Sequence, residues 1–157
     1  MVLSDRLGSA RILAFGGVFL LLSGMLVGEI YAIFISHVKA HEILLAWGNL
    51  LQAVQEARPE AVRSHFDRIT GMLEQRGRIL STHSESIALG YLALTLALVQ
   101  PLLAMKRRYR QFAAVAIVLG AIVTSTFTFT GYYTGPWADV VTDGGIVLIL
   151  LGLAVML

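Results

Sequence analysis

The chain has 157 residues, 57% of them hydrophobic and only 14% charged, with a mean hydropathy of +0.76 and a net charge of +2. A soluble domain carries about 25% charged residues, so long uncharged runs must account for the deficit, and the composition reads as an integral membrane protein. The absence of cysteine excludes disulfides, thiolate metal sites and cysteine nucleophiles, and the small net charge gives no support to a nucleic-acid partner.

The chain opens on a short polar stretch with Arg6 and Arg11, where Ser4-Asp5 or Ser9 offers a cap for the first helix. Residues 12–36 are apolar except for Glu29, long enough to span a bilayer with some tilt. This run exceeds the apolar region of a cleaved signal peptide and reads as a retained span. Gly16, Gly17, Gly24 and Gly28 dot it, and small residues let helices approach closely in lipid.

Residues 38–80 are more polar. Ile43, Leu44, Trp47, Leu50, Leu51 and Val54 recur at three- and four-residue spacing, the pattern of an amphipathic helix. Arg58-Pro59 breaks it, and Pro59 suits the first turn of a second helix with Val62, Phe66, Ile69 and Leu73 as its stripe. The expectation is a helical hairpin standing outside the bilayer. Further spans follow at about 86–105, with Pro101 in the last turn, at 112–133, rich in Thr and Ser, and at 138–157. The predicted fold is therefore an all-α integral membrane four-helix bundle, one domain over residues 1–157, with an extracytoplasmic hairpin between the first two spans.

Short loops rich in Lys and Arg stay cytoplasmic, which places Lys106, Arg107, Arg108 and Arg110, together with both termini, inside. The expected location is a bacterial or archaeal inner membrane. Ligand-type residues then gather at the opposite end: His37 and His41 after the first span, His83 and Glu85 before the second, and Asp139 and Asp143 at the start of the fourth. Glu29 lies about two turns deeper. At 100° per residue, Glu29, Ile33, His37 and His41 share a sector roughly 120° wide. An ionisable group inside a span normally faces the bundle interior, a partner or water.

His37 and His41, at i and i+4, suit one metal ion or two levels of a cofactor, and His83 lies at a matching height on the next span. Interfacial histidines on a solvated turn have the same spacing. Glu85 projects roughly 200° away from His83, so a single core takes one of them, and His83 is expected inward and Glu85 solvated. Asp139 and Asp143 also suit the favourable N-terminal end of a helix. The threonines of the third span are expected to bond back to their own helix.

At Thr82-His83-Ser84-Glu85, followed by Ile87 to Leu94, the chain resembles a segment of haem-copper oxidase subunit I and of small four-helix bacterial membrane proteins related to it. There a T-H-x-H turn opens an apolar helix with a glycine a few residues later. The resemblance implies histidines holding b-type haem or copper near the outer face. Here Glu85 stands in place of the second histidine.

Three functions fit these residues. The first is a membrane haem- or metal-binding protein in electron transfer or redox chemistry with a partner, with His37, His41 and His83 as ligands and Glu29 as a ligand or proton-handling group. Neutral imidazole suits iron, copper or zinc. The second is a non-catalytic accessory subunit of a larger membrane complex. The third is an oligomer conducting protons or ions past Glu29.

Overall fold

The computed structural model describes residues 2–135 and 137–157, and the side chains of these apart from residues 2–7 and 132–134. The proposed Ser4-Asp5 cap and the side chain of Arg6 lie outside the described side chains. The described residues form α1 (Val2–Ile30), a π turn (Tyr31–Ile35), α2 (Ser36–Gln55), α3 (Pro59–Val99), a 3-10 turn (Gln100–Leu102), α4 (Arg107–Thr134) and α5 (Trp137–Met156). There is no strand among them, and four helical stretches are long and apolar enough to cross a membrane: Gly8–Gln55, Pro59–Leu102, Arg107–Gly131 and Trp137–Met156.

The helices are longer than the sequence pattern implies. Ser9 is not a cap; it lies inside α1 and is buried. No break separates residues 59–80 from the apolar run that follows, and α3 is a single helix of 41 residues. It ends at Val99, and Pro101 falls in the 3-10 turn beyond it rather than kinking the helix. α1 and α2 form one continuous helix through the π turn, where the Ser36 N–H bonds to the Tyr31 carbonyl and the Ser36 hydroxyl donates to the Ala32 carbonyl at 2.6 Å. A π turn carries one extra residue, which re-phases everything beyond it by about 100°. The shared sector of Glu29, His37 and His41 assumed an unbroken α-helical period, and the extra residue removes that assumption.

Packing is arranged around pairs. α1 crosses α3 where Gly17 and Gly90 face each other: a methyl on either would stand 2.9 Å from the other's carbonyl oxygen. α5 packs on α4, and their crossing is at Gly120 and Gly145. α4 also touches α1 and α3 and is the most enclosed helix, with Ala113, Ala114, Ala116, Ile117 and Ala121 all buried. One core layer joins Leu13, Ala93, Ala114 and Ile117; the next joins Leu20, Ala121 and Ile149. Phe127 and Trp137 meet edge to face at 5.5 Å and pin the start of α5 to α4.

α2 turns back on the first part of α3 through Ala46, Leu50 and Ile69, with Val62 and Met72 around them. The contact face is centred on Ala46, Leu50 and Ala53 rather than on the whole apolar stripe, so Leu44, Leu45, Trp47, Leu51 and Val54 remain exposed, as do Phe66 and Leu73. The turn between α2 and α3 is a Schellman motif: Arg58 N–H bonds to the Ala53 carbonyl and Ala57 N–H to the Val54 carbonyl. Its left-handed position is Ala57, at φ +52°, where glycine is the usual occupant.

Candidate functional site

α3 carries two polar side chains toward two different neighbours. His83 faces α1. Its ring lies over Gly28, where a methyl group would overlap the imidazole, and beside Gly24. Its Nδ1 is 2.7 Å from the Gly24 carbonyl oxygen. A carbonyl only accepts, so Nδ1–H donates, and in the neutral ring Nε2 then has a free lone pair. This is the arrangement that orients and strengthens a ligating histidine: one ring nitrogen tied to a backbone carbonyl, the other available.

His83 and Glu29 line one groove of about 540 Å³, with Met25, Gly28, Tyr31, Ala32, Ser36, Leu80 and Ile87. The π turn forms part of its wall. Glu29 is exposed and Tyr31 is buried. The groove therefore holds one imidazole, one carboxylate and the Ser36 hydroxyl among mostly apolar walls. His37 and His41 are exposed on α2 and stand apart from it. Among the described residues, no three His, Asp or Glu side chains gather closely enough to hold a metal ion by themselves.

Glu85 is not solvated. The near-200° offset from His83 holds, but α3 has neighbours on both sides, so both side chains find a helix. Glu85 is half-buried, accepts from Ser81 Oγ on its own helix and, at 3.3 Å, from Thr128 Oγ1 on α4. With Thr124, Thr128 and Thr142 it borders a cavity of about 350 Å³ between α3, α4 and α5. The remaining hydroxyls bond mostly to backbone: Thr130 to the Thr126 carbonyl at 3.0 Å, Thr142 to Ala138 at 2.9 Å, and Thr124 across to Thr142 at 3.4 Å.

Asp139 is engaged from another direction. Arg78, five residues before His83, places Nη1 3.3 Å from Asp139 Oδ1 and ties α3 to the start of α5. Arg78 also borders a cavity of about 150 Å³ with Val27, Ile30, Tyr31, Ile35, Gln75, Ile79 and Phe129. Asp143, one turn on from Asp139, is exposed. Neither Arg78 nor the Glu85–Thr128 link stood out in the sequence. The only signal was an arginine and a glutamate flanking the start of an apolar run.

No protein-family model, curated protein or solved structure matches this chain.

Proposed function

We propose that this chain is an integral membrane protein whose His83 ligates a b-type haem or a single copper, iron or zinc ion in the groove it shares with Glu29. In this reading the protein serves electron transfer or redox chemistry with a membrane partner. The carrying observation is the bond from His83 Nδ1–H to the Gly24 carbonyl, which in the neutral ring leaves the Nε2 lone pair free to ligate. One protein ligand suits a group whose other positions are filled by a macrocycle or by water, and the described residues offer no set of three. Bound iron or copper would supply one-electron chemistry.

The chain's own residues then have distinct tasks. Gly24 and Gly28 give the imidazole its seat and fix its tautomer. Glu29, at the same groove, accepts or releases the proton that accompanies a change of charge nearby. Met25, Leu80 and Ile87 keep the walls apolar and limit water. His37 and His41, exposed on α2, stand outside this arrangement. With Lys106, Arg107 and Arg108 on the cytoplasmic side, the groove opens toward the extracytoplasmic half, and α2 with the first part of α3 forms the projecting hairpin.

The test is the haem and metal content of protein purified in detergent. The expected result is near-stoichiometric haem or one metal per chain in the wild type, lost in His83→Ala. A folded wild type carrying neither refutes the reading.

A second reading, an accessory subunit, is favoured by the exposed Leu44, Leu45, Trp47, Leu51 and Val54 on α2. On a helix outside the bilayer, an apolar patch of this kind marks a protein interface. Cross-linking in native membranes through a photoreactive residue at position 51 tests it. Capture of one defined membrane protein supports a subunit role, and capture of nothing removes it.

A further inference from the structure

The end of the bundle opposite the groove holds polar atoms without partners. Arg110, on the first turn of α4, is 5% exposed. Among the described residues its Nε and Nη1 are buried and have no hydrogen-bond partner, and the same holds for Gln100 Oε1 and Ser9 Oγ, on residues 0% and 1% exposed. These three residues lie at one level. Ser9 is four residues before Leu13 and Arg110 four before Ala114, one helical turn beyond the core layer that holds them, and Gln100 is three residues after Ala97, which packs against the same layer. Gln100 Nε2–H donates to the Arg110 carbonyl at 2.9 Å, which ties two of them directly.

A guanidinium removed from water without an anion is strongly unfavourable. Among the described residues no carboxylate answers it, since the ion pairs there are Lys39–Glu42, Arg58–Glu56 and Arg78–Asp139. The unpartnered set is two cationic N–H donors, one hydroxyl and one amide oxygen. Its donors fit a phosphate oxyanion: guanidinium N–H groups pair with phosphate oxygens, and the serine hydroxyl adds a third donor, while the amide oxygen, an acceptor, suits a hydroxyl of the headgroup rather than the phosphate. Lys106, Arg107 and Arg108 are exposed beside it and make the surroundings basic. Leu98 and Leu102, two residues either side of Gln100 in the chain, are more than three-quarters exposed and give an acyl chain apolar surface at this level of the bundle.

We propose that Arg110, with Ser9, holds the phosphate headgroup of an anionic phospholipid, and that Gln100 positions Arg110 through its bond to the Arg110 carbonyl. The non-helical connection 103–106 is the side from which the headgroup enters. This proposal rests on the reading that the helices cross a membrane, and is independent of what His83 binds.

The experiment is native mass spectrometry and thermal melting of the purified full chain, with phosphatidylglycerol, phosphatidylcholine or inorganic phosphate added in turn. The wild type is expected to retain phosphatidylglycerol over phosphatidylcholine and to melt higher with it. Arg110→Gln is expected to bind at least about 30-fold more weakly, the scale for removing a buried charged partner. Because Arg110→Gln risks misfolding, Ser9→Ala and Arg110→Lys serve as milder variants, each keeping the fold and weakening the preference. Equal retention of both lipids refutes the proposal. So does an equal effect from inorganic phosphate alone, which identifies a free anion as the occupant.

Discussion

Gly28→Ala is the sharpest local perturbation, because Gly28 and Gly48 form an internal comparison. Both are helical glycines, and replacing either by alanine gains roughly 1 kcal/mol of helix propensity. At Gly48 a methyl meets nothing within 4 Å. At Gly28 it enters the His83 ring, so the ring must move. Movement sacrifices the 2.7 Å bond to the Gly24 carbonyl, about 1 kcal/mol, and leaves an overpacked helix contact costing about 1–3 kcal/mol. The net expectation is a loss of about 1–3 kcal/mol for Gly28→Ala and a gain of up to about 1 kcal/mol for Gly48→Ala. Reversible unfolding in mixed micelles measures both. Nitrogen-15 NMR of labelled histidine reports whether the Nδ1-protonated tautomer of His83 persists. Equal stability of the two variants, with the His83 signal unchanged, would refute the seat described for the imidazole.

Ala57→Gly relieves the φ of +52° at the turn between α2 and α3; a stabilisation of about 0.5–1 kcal/mol is expected from unfolding of the same samples. Thr128→Val removes the hydroxyl that bonds Glu85 and leaves a half-buried carboxylate short of a donor, at an expected cost of about 1–2 kcal/mol; Thr95→Val, whose exposed hydroxyl bonds back to the Tyr91 carbonyl of its own helix, should cost less. Asp139→Asn weakens the Arg78 pair, whose side chains are 40% and 62% exposed; screening limits the loss to below about 1 kcal/mol, shrinking further at high salt.

The composition and the runs of apolar residues made the all-helical architecture and its four long apolar helices legible before any coordinates. Boundaries were less legible. Residues 80–86 read as a change of element because the composition changes there, yet nothing in Ser81-Thr82-His83-Ser84-Glu85 breaks a helix, and α3 runs through. The π turn left no mark in Tyr31–Ile35, which has no glycine or proline. The extra residue shifted the face expected for His37 and His41. The angular offset of Glu85 from His83 was readable; the mistake was to assume one core for α3, when α1 covers one side and α4 the other. Arg110 read as one more charge in a basic loop, because burial at a helix start depends on α1 and the 3-10 turn arriving from elsewhere in the chain.

The most direct test of the central claim is the oxidised and dithionite-reduced absorption spectrum of the purified wild type, with elemental analysis, set beside His83→Ala, His37→Ala and His41→Ala. The account predicts a Soret band that shifts on reduction, or a stoichiometric metal, present in the wild type and in both α2 variants and absent from folded His83→Ala. A chromophore or metal that survives His83→Ala, or a folded wild type with neither, contradicts it.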